Sequence, residues 1–458
     1  MKYIDGAMIE EMLSRAGSAS PGEISGILDK ALTLTRLSLP ESAALLSISD
    51  PAILEKLFET ASQVKRKIYG TRMVLFVPLY ISNFCVNNCL YCGFRCDNAE
   101  MERKSLSMDE VVDQVRLLLR RGHKRILMVS GEAAPPGKSA VEYFVETIRT
   151  IYGVHEGPHR VKRVNVNLPP LTVNEFQELK EAGIGTYQLF QETYHDETYR
   201  NVHRGPKADP DNRLDAVDRA FKAGIDDIGI GVLYGLHDYR FETLALLSHV
   251  EHMEKAFNVG PHTISVPRIQ PAKGSEFSQN APAPVSDAEF KKLVAVLRLS
   301  VPYTGIILST RETGALRDEL FDVGISQVSA ESSTSPGGYS DGSDGSQFDL
   351  HDSRSLDEVV RALVGGGFIP SFCAACYRRE RTGSAFMELA KPGEIRHLCD
   401  INAIVTLKEY LLDFASEEVK EMGEKLLQQK IGVLDESSRA VLSRMLSGIE
   451  RGERDTYV

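Results

Sequence analysis

Met73-Val-Leu-Phe-Val-Pro-Leu-Tyr-Ile-Ser82 is an apolar run that leads, two residues later, into Cys85-Val-Asn-Asn-Cys89-Leu-Tyr-Cys92. The apolar run predicts a buried β-strand. Three cysteines at C-x3-C-x2-C spacing can bind three irons of a cubic iron–sulfur cluster. The fourth iron then stays open, which favours catalysis over simple electron storage. A zinc site is the alternative for so short a spacing.

Strand-like runs alternate with amphipathic stretches from residue 71 onward. The candidate strands are residues 73–79, 125–130, 164–168, 187–191, 227–232, 263–269, 305–309 and 325–329. The candidate helices between them are residues 107–120, 140–151, 173–182, 213–223, 241–257, 286–299 and 312–321. Eight β/α units predict an α/β fold with a closed TIM-type (β/α)8 barrel, and an open doubly wound sheet is the alternative. Barrel enzymes place their chemistry on the loops after the strands, which is where the three cysteines lie.

Helical patterns flank the predicted barrel, which covers residues 71–335. Residues 1–70 predict a helical N-terminal extension, in which apolar residues recur at helical spacing. Residues 331–357 are rich in Ser, Gly and Asp and predict a long connection. Residues 336–458 predict a mostly helical C-terminal domain that carries a second cysteine group.

The composition restricts the classes of partner. The net charge of −11 argues against a general nucleic-acid surface. No apolar run approaches the about 18 residues of a membrane span, and the N-terminus is acidic where a signal peptide would be basic and apolar. We therefore expect a cytoplasmic protein that binds neither nucleic acid nor membrane. In a reducing compartment, seven clustered cysteines favour metal binding over disulfides.

The first cysteine motif, with Tyr91 before its third cysteine, resembles that of the radical S-adenosylmethionine (SAM) superfamily. The resemblance implies that Cys85, Cys89 and Cys92 hold a catalytic 4Fe–4S cluster whose open iron binds SAM. One electron from a low-potential donor then cleaves SAM to a 5′-deoxyadenosyl radical. Cys96 departs from the pattern, since a fourth thiolate would suit a ferredoxin-like site; a free thiol is the plainer interpretation.

Polar residues after two other candidate strands match SAM-binding positions of this superfamily. Gly131 and Glu132 resemble its "GE" motif, which binds the SAM amino group. Glu192 is a candidate for the SAM ribose, because a carboxylate suits a diol, and Arg213 is a candidate for the SAM carboxylate. By itself, Glu132 would fit equally well as a solvated side chain at a strand end.

The second cysteine group consists of Cys373, Cys376 and Cys399, at C-x2-C-x22-C spacing. Three thiolates again leave one iron of a cluster open. A structural zinc site with His397 as the fourth ligand is the alternative, because three cysteines and one histidine form a common closed zinc site.

The two cysteine groups together resemble the tyrosine lyases that mature [FeFe] hydrogenase. Gln191-Glu-Thr-Tyr194, Gly229-Ile-Gly-Val-Leu-Tyr-Gly235 and Gly260-Pro-His-Thr-Ile-Ser-Val-Pro267 extend the resemblance over nearly the whole chain. It implies cleavage of the Cα–Cβ bond of L-tyrosine to p-cresol and dehydroglycine. Dehydroglycine then gives carbon monoxide and cyanide on the auxiliary C-terminal Fe–S cluster, for assembly of the hydrogenase H-cluster.

The same resemblance implies an additional iron on the auxiliary cluster, held by His262 and a free cysteine. It also implies a hydrogenase-maturation scaffold and a sister maturase as partners. His262 alone would fit a structural histidine equally well. Ser309 and Arg311, at the end of the seventh strand, are candidate tyrosine ligands, because a guanidinium there could pair with an amino-acid carboxylate.

The sequence departs from this family at several positions. In Ala330-Glu331-Ser332-Ser333-Thr334 a glutamate replaces a glycine and a basic residue is missing, and Pro210 stands where an aromatic residue is expected. Two other functions stay open. One is a tyrosine lyase of the thiamine-synthesis type, which stops at 2-iminoacetate (dehydroglycine) and needs no second cysteine group. The other is a non-catalytic iron–sulfur or zinc scaffold.

Overall fold

The computed structural model of the chain describes residues 1–135, 137–341 and 345–458. Residues 342–344 of the predicted connection therefore lie outside the described residues. The strands are β1 Arg72–Ser82, β2 Arg125–Ser130, β3 His155–Glu156, β4 His159–Arg160, β5 Arg163–Asn167, β6 Tyr187–Glu192, β7 Ile228–Val232, β8 Thr263–Ser265, β9 Gly305–Leu308, β10 Gln327–Ser329 and β11 Ile369–Ser371.

Eight of these strands form a closed parallel barrel in the order β1-β2-β5-β6-β7-β8-β9-β10. The barrel closes where β10 pairs with β1, with Val74 opposite Gln327 and Phe76 opposite Ser329. The predicted TIM-type barrel is confirmed, and the open doubly wound sheet is wrong. β8 is shorter than predicted because Pro267 has no N–H to donate to a strand neighbour.

Two small sheet features were not predicted. β11 adds a ninth parallel strand that pairs with the first residues of β1. β3 and β4 form a two-stranded antiparallel hairpin between α6 and β5, with α6 spanning Ala140–Gly153. β11 leads directly into Cys373, so it ties the second cysteine group to the barrel.

The helices cover the barrel and both flanking regions. They are α1 Gly6–Ala16, α2 Pro21–Leu32, α3 Leu39–Leu46, α4 Pro51–Tyr69, α5 Met108–Arg120, α6 Ala140–Gly153, α7 Val173–Glu181, α8 Asp196–Val202, α9 Pro210–Lys222, α10 Tyr239–Phe257, α11 Glu276–Gln279, α12 Asp287–Ser300, α13 Gly314–Val323, α14 Gly338–Asp341, α15 Leu356–Gly365, α16 Ala375–Arg378, α17 Gly383–Ala390, α18 Ile395–Asp413, α19 Glu417–Gly432 and α20 Glu436–Glu450, with a short 3-10 helix at Pro206–Ala208.

Local sequence explains where many of these helices begin. Ser107, Ser139 and Ser286 each cap a barrel helix and exchange hydrogen bonds with a glutamate three residues later. This reciprocal capping satisfies backbone N–H groups that have no partner inside the helix. Pro210 occupies the first turn of α9, where its missing N–H costs nothing.

The flanking regions are helical, as the sequence indicates. α4 of the N-terminal region packs on α12 of the barrel and on α18 of the C-terminal region. α18 also packs on β11, α19 and α20. The domain boundaries at residues 70 and 335 remain a prediction. None of the described helices is long and apolar enough to cross a membrane.

Alternation along β1 decides what the barrel interior contains. Arg72 and Val74 line a cavity at the start of the strand, whereas Phe76, Pro78 and Tyr80 line a second cavity toward its end. Residues two apart on a strand face the same side. One face of β1 therefore reaches both ends of the barrel interior.

Candidate functional site

The first cysteine loop follows β1 and is fixed by backbone contacts to the loops of two other strands. Val86 N donates to the carbonyl of Glu132 at 3.4 Å, and Leu90 N donates to Val202 at 3.0 Å. Gly131 must be glycine here, since a Cβ would lie 2.2 Å from the carbonyl oxygen of Phe84. These contacts place the cysteines at the carboxyl end of the barrel, as the fold rule predicts.

The cysteine side chains have the chemistry that an iron–sulfur cluster requires. All three thiols are free; Cys89 is buried, and Cys85 and Cys92 are partly exposed. The backbone N–H of Asn87 donates to Cys85 Sγ at 3.4 Å, and Gln347 Nε2 donates to Cys92 Sγ at 3.5 Å. Burial raises the pKa of each thiol, so a thiolate here needs a positive partner such as iron. The residues present fit the cluster.

No group of three His, Cys, Asp or Glu side chains in the described part of the chain is arranged around a single metal ion. A mononuclear zinc site would need that arrangement. In a cubic cluster each thiolate binds a different iron, so the sulfurs need not converge on one point.

A buried ion-pair network lies beside the cysteine loop. Arg213 Nη1 donates to Glu132 Oε1 at 2.8 Å, and Arg213 Nη2 lies 3.7 Å from Glu192 Oε1. Burial opposes the charge of Glu132, but Arg213 and Lys207 outweigh it and hold the pKa of Glu132 below its usual value. The structure thus brings together Glu132, Glu192 and Arg213, which the sequence analysis selected separately.

Lys207 and Asn87 complete this network and were missed by the sequence analysis. Lys207 Nζ donates to Glu192 Oε1 at 2.7 Å, and Lys207 N donates to Asn87 Oδ1 at 2.8 Å. Asn87 Nδ2 donates to Glu132 Oε2 at 2.7 Å. Asn87 lies inside the cysteine motif, so its position was a signal that could have been used. Lys207 had none, because it lies in a three-residue 3-10 helix 15 residues after Glu192 and no motif joins the two.

Tyr91 is held in place by a neutral histidine. The Tyr91 hydroxyl donates to His203 Nε2 at 2.8 Å, and His203 Nδ1 donates to the carbonyl of Tyr199 at 2.9 Å. Burial holds the pKa of His203 well below its usual value, so the ring stays neutral and Nε2 can accept. The aromatic ring of the motif is therefore fixed between Cys89 and Cys92.

A cavity of about 150 Å³ lies in the barrel mouth, below the cysteine loop. Its walls include Cys92, Tyr91 and Glu192, together with the predicted substrate residues Ser309 and Arg311. The Arg311 guanidinium lies 3.3 Å from the centre of the Phe348 ring. The structure therefore places one arginine and Cys92 of the first cysteine group around the same cavity.

The second cysteine group lies at the opposite end of the barrel. Cys373, Cys376, Cys399 and His262 surround a cavity of about 50 Å³, which also includes the start of β1. Ala375 N donates to Cys373 Sγ at 3.3 Å, again an N–H donor to sulfur. Burial raises the pKa of Cys376 and raises that of Cys399 to about 12, so these thiols also need cationic partners.

Charged side chains line the second cavity. The Nε atoms of Arg72, Arg125 and Arg381 are buried and have no hydrogen-bond partner among the described residues. His262 Nδ1 lies 3.8 Å from Asp227 Oδ2. His397 is exposed and does not line the cavity, so the structure does not bring it to the cysteines as the zinc alternative requires.

Cys96 does not line the mouth cavity. It is exposed, and its backbone N–H donates to the carbonyl of Asn87 at 2.9 Å.

Glu331 adopts a left-handed backbone with φ of 51°. Only glycine adopts such a conformation without strain, so the glutamate that replaces the expected glycine is strained. Its carboxylate pairs with Arg121 at 3.0 Å.

Two protein-family models match the chain. The model of the radical SAM superfamily matches residues 79–248. The model of the biotin and thiamin synthesis associated domain matches residues 265–369. The radical SAM match covers the first cysteine loop, Glu132, Glu192 and Arg213, so the domain uses a 4Fe–4S cluster, SAM and an electron donor.

Individual proteins extend the similarity to the whole chain. A crystal structure of HydG, described as a maturase of the [FeFe]-hydrogenase, is 46% identical with a TM-score of 0.96 and covers 100% of both chains. HydG from Carboxydothermus hydrogenoformans is 43% identical with a TM-score of 0.84, covering 96% of this chain and 97% of that one. The 2-iminoacetate synthase of Escherichia coli is 32% identical over 76% of this chain and 90% of its own length.

Proposed function

The chain belongs to the HydG family of radical SAM enzymes, and we propose that it cleaves the Cα–Cβ bond of L-tyrosine and makes carbon monoxide and cyanide for [FeFe]-hydrogenase assembly. One observation carries the proposal. A single barrel holds two three-cysteine groups, one at each end, and each group adjoins its own cavity. Two separate cysteine sites suit two consecutive reactions.

At the barrel mouth, Cys85, Cys89 and Cys92 would hold a 4Fe–4S cluster. When bound and reduced, that cluster would supply the radical from SAM. Glu132 and Arg213 are already paired at 2.8 Å. The amino-acid part of SAM carries both an ammonium and a carboxylate group, so it can add to this network without leaving an unpaired buried charge. Glu192, next to Lys207, is placed to accept hydrogen bonds from a ribose diol.

The mouth cavity supplies the tyrosine site. Arg311 lines this cavity, and among the described residues its guanidinium donates one weak hydrogen bond, to the carbonyl of Arg268 at 3.4 Å. A planar guanidinium with free N–H groups pairs well with a carboxylate. Ser309 lines the same wall and offers a hydroxyl.

At the opposite end, Cys373, Cys376 and Cys399 would hold the auxiliary cluster, with His262 and a free cysteine holding its additional iron. The three arginines around this cavity favour anions such as an amino-acid carboxylate or cyanide. The product would then be transferred to a hydrogenase-maturation scaffold, with a sister maturase also acting in that assembly.

A lyase that stops at 2-iminoacetate is the second candidate, because curated 2-iminoacetate synthases are 32–33% identical over 90% of their length. The second cysteine group favours the first candidate. Protein reconstituted without oxygen with iron and sulfide, then given SAM, dithionite and tyrosine, should release p-cresol and carbon monoxide. Metal analysis should find about nine irons per chain. Release of p-cresol without carbon monoxide would favour the second candidate, and stoichiometric zinc at the second site would contradict the proposal.

A further inference from the structure

We propose that Gln347 sets the reduction potential of the cluster at the barrel mouth by donating a hydrogen bond to Cys92 Sγ. This inference rests on the proposed function, because it takes Cys92 as a cluster ligand. Gln347 belongs to a segment that crosses the barrel mouth after residue 344, which we call the strap and define as residues 345–352. No sequence pattern pointed to it.

The side-chain amide of Gln347 is held with its N–H groups toward the sulfur. Gln347 Nε2 lies 3.5 Å from Cys92 Sγ, and the Tyr80 hydroxyl donates to Gln347 Oε1 at 2.9 Å. A tyrosine phenol is protonated near neutral pH, so the Tyr80 hydroxyl can donate this bond. Since the amide oxygen already accepts from Tyr80, the amide nitrogen is the group that faces Cys92.

Backbone contacts hold Gln347 against the cysteine loop. Gly93, the residue after Cys92, donates its N–H to the Gln347 carbonyl at 3.1 Å, and Gln347 N donates to the Thr334 carbonyl at 3.0 Å. A Cβ on Gly93 would lie 2.8 Å from that same carbonyl oxygen, so the close approach requires glycine. The contact is therefore built from both segments, and a mobile side chain alone does not produce it.

A hydrogen bond to a ligand sulfur favours the more negative, reduced form of the cluster. Removal of the donor should therefore lower the reduction potential. The reaction concerned is the transfer of one electron from an external reductant to the oxidised cluster. Because a lower potential makes that transfer less favourable, Gln347 would make the cluster easier to reduce.

The strap also reaches the proposed tyrosine site. Phe348 follows Gln347, and its ring stacks 3.3 Å from the guanidinium of Arg311. Thr334 Oγ1 donates to the Phe348 carbonyl at 3.1 Å, so the same threonine holds both strap residues. An amino-acid carboxylate binds in the plane of a guanidinium, and Phe348 covers the face of this one, so a bound carboxylate would lie at the edge of the Phe348 ring, one residue from Gln347. Occupancy of the cavity should therefore shift the cluster potential.

The test is a potentiometric titration of reconstituted full-length protein, followed by the EPR signal of the reduced mouth cluster, with and without tyrosine. Gln347→Leu should lower the midpoint potential, and Tyr80→Phe should lower it less, because the amide loses only its orienting partner. The wild-type midpoint should shift with tyrosine, and the Gln347→Leu midpoint should shift less. Gln270→Leu is the matched control, since Gln270 ties the strap through His351 at 2.9 Å and is not bonded to a cluster sulfur.

An unchanged midpoint in both Gln347→Leu and Tyr80→Phe, with the clusters loaded as in wild type, would overturn the inference. An equal fall in Gln270→Leu would overturn it too, because a loosened strap would then explain the shift. If Gln347→Leu fails to load its clusters, Tyr80→Phe alone decides. Failure of the proposed function looks different, since the wild-type protein itself would then hold no reducible cluster or release no p-cresol.

Discussion

Arg213 donates a 2.8 Å hydrogen bond to Glu132, and the two residues come from different β/α units of the barrel, α9 and the loop after β2. Only 6% of the Arg213 side chain and 18% of the Glu132 side chain are exposed. Arg120 and Glu156 form a pair at the same distance on the surface, with 60% and 29% of their side chains exposed. Comparison of the two pairs therefore shows how burial changes the contribution of an ion pair to the free energy of unfolding.

Glu132→Gln should lower the free energy of unfolding by about 3 kcal/mol, because it leaves two buried cations, Arg213 and Lys207, to share the single carboxylate of Glu192. Glu156→Gln should change it by less than about 0.5 kcal/mol. Urea unfolding of the two variants checks the difference. Equal effects would mean that the buried network does not stabilise the protein beyond an ordinary surface pair.

Cys89→Ala should abolish both p-cresol and carbon monoxide, because the radical chemistry needs the first cysteine group. Cys376→Ala should keep p-cresol and lose carbon monoxide, since its site lies at the other end of the barrel. Cys96→Ala, an exposed cysteine, is the control and should keep both products. Anaerobic assays of the two products test all three variants. Normal carbon monoxide from Cys376→Ala would contradict the assigned division between the sites.

The strain at Glu331 can be separated from its ion pair by comparing two substitutions. Glu331→Gly and Glu331→Ala both lose the contact with Arg121, but only alanine still resists the left-handed φ of 51°. The glycine variant should be more stable than the alanine variant by about 1 kcal/mol. Thermal or urea unfolding measures the difference. A more stable alanine variant would show that this backbone conformation is not strained.

Glu242 should make stability depend on pH. It is fully buried, accepts hydrogen bonds from Thr193 Oγ1 and from Tyr194 N at 2.8 Å, and burial raises its pKa to about 7. Because the folded protein holds this proton more tightly than the unfolded chain, the contribution is complete below about pH 4.5 and is lost as the pH rises through 7. The destabilisation caused by Glu242→Gln should therefore shrink by about 2.5 kcal/mol between pH 5 and pH 8.

Urea unfolding across this pH range, against wild type at each pH, measures the Glu242 effect. Glu358→Gln is the control: this exposed carboxyl has a lowered pKa from its cap contacts with Ser355, so its effect should stay constant over the same range. A Glu242→Gln penalty that is independent of pH would show that Glu242 has the same protonation in both states.

The sequence predicted the barrel well, for a physical reason. Each strand and helix has its own local period, and eight local patterns in a row leave few folds to choose from. The cysteine groups were visible because their members are close in sequence. Lys207 and Gln347 were not, because their partners lie 15 and 255 residues away and loop geometry decides the contact. β11 was missed because Pro370 stands in the middle of its three residues, and a proline argues against a strand in a sequence pattern.

The family resemblance selected Glu132, Glu192 and Arg213 one at a time, as separate ligands. In the structure, their side chains and that of Lys207 form one network of ion pairs. That coupling depends on where α9 packs against β6 and on the path of the loop after β6, and neither is encoded in a short motif. His262 and the second cysteines likewise meet only because β11 brings Cys373 beside the start of β1.

β1 spans 11 residues, and its inward face reaches from the arginine-lined cavity to the mouth cavity. β1 therefore fixes the distance between the two sites. Deletion of one residue in the middle of β1 would draw Arg72 and Cys85 about 3.3 Å closer and turn the residues on one side of the gap to the opposite face. An insertion or deletion in β1 that alters one site therefore also alters the other. The distance between the two sites is constrained by the length of this strand.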